Sequence, residues 1–426
     1  MKPFNLKNID RSFWVLFGLL IIVAIIALFS ASSTLIYKDD SLLGPVGQQI
    51  VFILLGVAAA FVIQFIPTQW VRLGGYALLI ISILLIFSTL IPHNPFVVSR
   101  NGAARWINLF GITFQPSELA KLSLIIVVAD QLARIKTEED KWKYFLRTLI
   151  LTAVVVFPIL VANLSTAILI CGIVGCLWIL ARVPWKYILS VVGIALVVLA
   201  LGYSVVEFAY VKPGRTMSEK NPFKRATVWV ARIDNMFNKD DTSKYVLTDD
   251  NIQEVYSSVA IARGGKSPFG VLPGNSKERD YLPLAYMDYI FAIIVEESGV
   301  LGAILVIFIY LAILFRACNV SSRYSDMPAM LMVMGLALMI TCQALISMIV
   351  AVGLGPVTGQ PLPMISKGGT SAVITSIYFG IMMGVSREQL ELSERVNETR
   401  DKSEEEVPEI TFDDEAPLIR DITIES

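Results

Sequence analysis

The chain has one histidine, His93, in 426 residues. That leaves no histidine cluster to hold a metal and counts against a Ser-His-Asp triad. Cysteine is almost as scarce. Cys171, Cys176, Cys318 and Cys342 lie in or beside apolar runs, with no CxxC pair among them. They read as small hydrophobes, not as ligands or disulfide partners. Charge is sparse as well: 17% of residues, balanced at 35 basic against 36 acidic, for a net charge of −1. No global positive field points to nucleic acid. What the chain has in abundance is apolar surface. It is 55% hydrophobic, with mean hydropathy +0.67, and a soluble domain has no use for so much.

The apolar residues fall into ten runs, each near the roughly 20 residues that a bilayer needs. They cover about 12–36, 46–66, 71–91, 117–134, 147–162, 165–182, 187–206, 288–315, 328–352 and 369–386. The expected class is an all-α integral membrane protein of about ten transmembrane helices. The first run, Ser12–Ser33, is too long for a signal-peptide core and lacks a clear cleavage site. The fifth carries Pro158, and a turn at Ala162-Asn163-Leu164-Ser165 separates it from the sixth. Fusing those two would give nine spans and move the C-terminus across the membrane. Basic residues set the orientation. Lys2, Lys7 and Arg11 precede the first span; Arg134, Lys136, Lys141, Lys143 and Arg147 flank the connection after the fourth. Arg182, Lys186, Arg316 and Arg323 mark later loops of the same side. With ten spans both termini are cytoplasmic. Residues 1–386 then form the membrane domain, and 387–426, with Glu404, Glu405 and Glu406 in a row, a disordered acidic tail.

One long polar loop, about 207–287, interrupts the apolar pattern and lies outside in this orientation. Trp229, Ile233, Met236 and Phe237 recur within it at helical spacing, beside Lys224, Arg225 and Arg232. That pattern suits either an interfacial helix or a loop helix packed on protein. The loop returns to the membrane at Asp288, in YLPLAYMDYIFAIIVEESG (281–299). A carboxylate at the mouth of an apolar helix is costly unless it is used. Asp288 is a candidate general base; it also suits a plain helix cap. Glu296 and Glu297 follow about 12 Å deeper. Successive helical residues differ by about 100°, so the pair cannot face one direction.

Two more clusters share that side. In NGAARWINLFGITFQPSELAKL (101–122), Arg105 can hold a phosphate bidentately and Trp106 suits the headgroup level. Gln115-Pro116-Ser117 starts the fourth span, with proline at a first-turn position. Glu118 and Lys121, three apart, share a helix face. They form either an internal ion pair or part of a site. In GLGPVTGQPLPMISKGGTS (353–371), eight glycines and prolines rule out a continuous helix. Such backbone at membrane depth must line a cavity or be covered by protein. Lys367 and Thr370 stand at the start of the tenth span, where free N–H groups attract anions. Cations around a carboxylate suit transfer of a group from a lipid diphosphate to an alcohol.

The runs RWI…FQPSELAK, PGNS…YLPLAYMDYIFAIIVEESG and GPVTGQPLP…SKGGTS, in that order, resemble the SEDS family of shape, elongation, division and sporulation proteins. The resemblance spans all ten runs and leans to the division branch over the elongation branch. It implies the SEDS fold and an inverting peptidoglycan glycosyltransferase. That enzyme polymerises lipid II into β-1,4 strands at the outer face of the plasma membrane, with undecaprenyl diphosphate leaving. A lipid II flippase or an elongation-type polymerase is the alternative. The resemblance places catalysis at Asp288, followed by Tyr289-Ile290-Phe291. It places substrate binding at Arg105, Trp106, Ser117, Glu118 and Lys121, to which the residues add Gln115, Lys367 and Thr370. Implied partners are a class B penicillin-binding protein acting as septal transpeptidase and other division proteins. The cofactor implied is none, or a divalent cation such as Mg or Mn. The chain departs from the pattern at Leu284 and Tyr286, where relatives often carry glutamate and histidine, and at Lys367, where many carry an aromatic residue.

Overall fold

Helix boundaries follow from a few residues that stop or start a turn. The computed structural model describes residues 9–31, 45–91, 94–100, 103–109, 111–208, 230, 252–278, 281, 287–322, 326–355 and 359–405. Helices α1 (Arg11–Ala31), α2 (Pro45–Ile63) and α3 (Thr68–Leu90) come first, then strands β1 (Val97–Arg100), β2 (Ala103–Leu109) and β3 (Ile112–Phe114). Helices α4 (Pro116–Leu132), α5 (Glu138–Ala162), α6 (Leu164–Leu180) and α7 (Trp185–Val206) follow. The chain continues through α8 (Ile252–Gly264), α9 (Ile290–Ser322), α10 (Met327–Ala351) and α11 (Thr370–Glu405). Proline at the first turn opens α4 after an extended Gln115. A capping box between Thr137 and Asp140 opens α5 nine residues ahead of the expected start. Asn163, in extended conformation, ends α5 and caps α6 by accepting from Thr166 N, so the fifth and sixth segments are separate helices.

Each of the ten expected spans contains a helix. Seven of them, α1, α2, α3, α5, α7, α9 and α10, are long and apolar enough to cross a membrane. The other three are α4 and α6, with 17 residues each, and α11, whose second half is charged. The outer faces carry exposed Leu84, Ile194 and Phe315, a surface suited to lipid. Almost none of α7 is buried. The centre is α4, buried from Leu122 to Ala129, with α3, α5 and α10 around it. Glycines bring α2 and α11 into backbone contact: a Cβ on Gly380 would meet Ala60, and one on Gly384 would meet Gln64.

Three features differ from expectation. The first is an antiparallel sheet in the order β1-β2-β3. Its register pairs Val98 with Trp106 and Asn108 with Thr113, with a bulge between Val98 and Ser99. The all-α membrane class holds, with this sheet as an addition on one end of the bundle. The second is the tail. Instead of disorder from 387, α11 runs on to Glu405. No glycine or proline interrupts 387–405, and Arg387 pairs with Glu391 at 2.7 Å while donating to Gln64 O at 3.1 Å. Residues 406–426 lie outside the described residues. The third lies in the long loop. Its described part includes the packed helix α8, where buried Ser257 donates to Ala351 O. The expected helix around Trp229–Phe237 lies outside the described residues, Val230 excepted.

Candidate functional site at one end of the bundle

Arg105 is the extra residue of the bulge in β2: Val98 pairs with Trp106 and Ser99 with Ala104, so its direction is set by its contacts and not by strand alternation. The segment after α10 meets it. Gly359 adopts φ +61, and a Cβ placed on it would lie 3.8 Å from Asp288 Oδ2 and 4.0 Å from Arg105 Nη2. An acid and a guanidinium from distant parts of the chain therefore flank one glycine. Asp288 is half-buried and sits one residue ahead of Tyr289, which occupies the cap position of α9. A plain capping role does not suit that placement.

The Gly359 segment is held by polar side chains from four helices. Gln343 Nε2 donates to Pro361 O at 3.0 Å, and Tyr310 donates to Pro363 O. Gln360 donates to Thr166, at the start of α6. Gln49 accepts from Gly369 N at 3.0 Å. These bonds take up polar groups of the broken backbone, as membrane depth requires.

Lys121 belongs to this support. It is 1% exposed, and its ammonium lies 2.7 Å from both Glu118 Oε1 and Gln343 Oε1. Its charge is committed to the interior, two hydrogen bonds behind Pro361. The ion pair locks α4 to α10 and, through Gln343, sets the Gly359 segment. Removing one partner of a buried pair costs about 3–5 kcal/mol, because the other charge stays buried. Lys121→Met and Glu118→Gln are each expected to lower thermal stability in detergent by more than the double variant does. A double variant less stable than either single one would contradict this account.

The other expected residues divide. Ser117 is buried and Gln115 half-buried; both line a small cleft together with Arg105. Thr370 opens α11 and Lys367 is half-buried just before it. The N–H groups there are largely taken: Gly369 by Gln49, Ser371 by Gly368 O and Ala372 by Gly369 O. That end is less open to an anion than the sequence implies. Neither Lys367, Thr370 nor Trp106 lines the cleft. Among the described residues no group of three His, Cys, Asp or Glu side chains could hold a metal ion. Asp288 alone is too few ligands for a protein-made site, and a hard cation would take most of its ligands from substrate phosphate and water.

Both deeper acids are used. A positive φ at Gly299 breaks α9 and frees the carbonyls of Glu296 and Glu297. They accept from Val271 N and Leu272 N, each at 2.9 Å. The side chains follow the same loop. Glu296 accepts from Ser276 and from Lys277 N, and pairs with Arg263 at 3.3 Å. Glu297 accepts from Ser30 and from Gly274 N. Burial and the Glu296 carboxylate raise the pKa of nearby Glu278, against the pull of Arg263. This latch fixes the α9 half-helix that begins two residues after Asp288.

Opposite ends of the helices carry a second polar cluster. Asp10 accepts from Ser12 N, Phe13 N and Ser386, and pairs with Arg316 at 2.7 Å. Asp130 pairs with Arg134 at 2.7 Å and Arg72 at 3.5 Å. Between Lys121 and Asp130, α4 is buried and apolar except for Ser123.

Fold and site together define a multi-pass helical membrane protein with an acid–guanidinium site at one end. Residues 10–391 match the profile of the cell cycle protein family that groups FtsW, RodA and SpoVE. The chain belongs to that family, which is the SEDS family of the resemblance. A relative from Saccharophagus degradans, named probable peptidoglycan glycosyltransferase FtsW, is 32% identical over 91% of this chain and 94% of its own. One of the same name from Enterococcus hirae is 29% identical over 88% and 92%. A chain solved in a study of how a peptidoglycan synthase complex coordinates polymerization and crosslinking aligns with TM-score 0.67. It is 25% identical, and 90% of this chain and 99% of that one are covered. The rod shape determining protein RodA of Thermus thermophilus aligns with TM-score 0.62 at 22% identity, over 90% and 99%.

Proposed function

We propose that this chain is an FtsW-type peptidoglycan glycosyltransferase that polymerises lipid II, with Asp288 as general base. The observation that carries the reading is the approach of Asp288 and Arg105 to one residue, Gly359. Asp288 takes the proton of the acceptor sugar's 4-hydroxyl. The freed oxygen pair attacks C1 of the donor sugar from the face opposite its phosphate. The C1–O bond breaks, and its electrons leave with undecaprenyl diphosphate. In-line attack turns the α linkage into a β-1,4 bond. Arg105 faces the charge that develops on the departing diphosphate, where a preorganised cation helps most. Lys121 and Glu118 act at one remove, by setting the Gly359 segment through Gln343.

The basic residues Arg134, Arg182, Lys186 and Arg316 lie at helix ends away from Asp288 in the up-and-down chain. By the positive-inside rule that end is cytoplasmic, with both termini, and the Asp288 end is outside. Membership of the cell cycle protein family supports division as the setting of that synthesis. Likeness to a chain of a peptidoglycan synthase complex supports a class B penicillin-binding protein as partner. A flippase would need a polar path through the bundle, and the apolar stretch of α4 between Lys121 and Asp130 speaks against one along that helix.

The test is lipid II polymerisation by the purified chain in detergent, with and without its cognate transpeptidase. Glycan strands on a gel, formed without two compartments, are the expected result. An absence of strands under both conditions, with the transpeptidase stably bound, would remove the enzyme reading and leave a scaffold.

A further inference from the structure

The first turns of α5 and α7 meet at the end of the bundle away from Asp288, and the turn from α6 into α7 fixes the meeting. Arg182 adopts φ +57, and Val183 N donates to Trp178 O at 3.0 Å. Trp178 donates to Thr148 of α5 at 2.9 Å, with its ring 4.9 Å from that of Phe145. Tyr187, in the first turn of α7, lies 4.8 Å from Trp142 and 5.4 Å from Phe145, ring centre to ring centre. Beyond that root α7 has little protein around it: of its described residues only Ile188 is buried.

Exposed Lys143, Arg147 and Lys186 flank the root. Lys186 Nζ stands 5.0 Å from the centre of the Tyr187 ring. Lys143 Nζ and Arg147 Cζ stand 5.6 and 5.3 Å from that of Tyr144. Among the described residues none of the three pairs with a carboxylate. The acids nearest in the chain are Glu138, Glu139 and Asp140, in the first turn of α5, where Glu138 pairs with Lys141 and Asp140 closes the capping box. Two like charges at one ring repel, and the ring offsets that only in part. Depth adds to the cost. Measured from Ala162 at the far end of α5, Arg147 is about 22 Å down the helix at 1.5 Å per residue, short of the roughly 30 Å of a hydrocarbon core. Leu146 and Ile150 beside it are exposed. A guanidinium on a lipid-facing stripe at that depth draws a phosphate to itself. Orienting the chain needs basic residues on one side only; it does not need them on one seam between two helices.

We infer that the seam between the first turns of α5 and α7 binds the headgroup of an anionic phospholipid. The phosphate sits on Arg147, Lys143 and Lys186, and the acyl chains run along exposed Trp142, Ile150 and Leu189. Arg147 supplies a bidentate fork and the lysines point charges. Charge selects the occupant: a zwitterionic headgroup brings an ammonium to a seam that holds cations alone. The bound lipid braces the root of α7. The inference stands apart from the glycosyltransferase reading, and the proposed orientation places the lipid in the inner leaflet.

The test is the melting temperature of the full chain in a neutral detergent, titrated with phosphatidylglycerol, phosphatidylcholine or glycerol 3-phosphate. Phosphatidylglycerol is expected to raise it saturably, and the other two to leave it unchanged. Each basic residue near a headgroup is worth about a fivefold change in affinity. Arg147→Gln therefore costs about fivefold, and Lys143→Gln/Arg147→Gln/Lys186→Gln about 100-fold, in the phosphatidylglycerol needed for half the effect. All three side chains are exposed, so without lipid the variants melt like wild type. Lys136→Gln removes an exposed charge ahead of the capping box and stays within about twofold. Equal stabilisation by phosphatidylcholine would mean apolar contact alone, and equal stabilisation by glycerol 3-phosphate an ion site without lipid. An equal loss in Lys136→Gln would mean a diffuse field. Each of these overturns the seam as a phospholipid site, as does a triple variant that binds like wild type. Loss of the effect when the transpeptidase is bound overturns it too, and gives the surface to that protein.

Discussion

Asp288→Asn stops polymerisation: the initial rate of glycan synthesis falls by about 10²–10⁴-fold, the usual worth of one positioned base. The carboxamide keeps the shape and one carbonyl oxygen, but it cannot accept the hydroxyl proton at neutral pH. The fold is expected to survive. Asp288 stands outside the cap position of α9, and it is half-buried, so the carboxamide fits where the carboxylate stood. Lipid II binding is expected to stay within a few-fold of wild type, since uniform binding and transition-state stabilisation are separable. The measurement is the initial rate on lipid II, with binding read separately by thermal stabilisation. A variant that polymerises at the wild-type rate would take the base away from Asp288. A variant that fails to bind would make Asp288 a binding group instead.

Much of this was legible in the chain itself, because bilayer thickness makes length and apolarity decisive. The ten runs, the break at Asn163 and the proline start of α4 needed no tertiary information. The sheet was readable too. Asn101-Gly102 is a strong tight-turn signal, and VVSR and AARWINL flank it with strand-forming residues. The apolar content of that stretch obscures it beside so many membrane-length runs. Other features depend on partners far away in sequence. Lys121 meets Gln343 across 222 positions, and nothing local says that its ammonium turns inward instead of toward a phosphate. The tail shows the converse. Acidic composition suggests disorder, yet a stretch free of glycine and proline extends a helix already nucleated by α11. Glu296 and Glu297 do face different ways, one to Arg263 and Ser276 and the other to Ser30 and Gly274 N, and the loop that serves both could not be read from the helix alone.

Gly299 is a position where a single methyl group is expected to have a large structural effect. Its φ of 65° with ψ of −160° falls in a region open essentially to glycine alone. A Cβ there would overlap Gly270 N, Pro268 O and Ser267 O. Those atoms are backbone, so no rotamer change relieves the clash. The adjoining hydrogen bonds fail together: Leu301 N to Pro268 O, Val271 N to Glu296 O and Leu272 N to Glu297 O. The loop that satisfies Glu296, Glu297 and Ser30 is pushed from the helix, and two buried carboxylates lose partners. The conformational strain alone is worth about 1–3 kcal/mol, and unsatisfied buried acids add about as much again. Gly299→Ala is therefore expected to lose most of its folded yield and to melt well below wild type in detergent. What survives should lose activity, because the half-helix after Asp288 is the part released. Gly172→Ala is the control. A Cβ there meets nothing within 4 Å, and alanine within a helix is favoured by up to about 1 kcal/mol. Equal melting temperatures for Gly299→Ala and wild type would mean that the latch does not hold α9, and the positioning of Asp288 would then need another source.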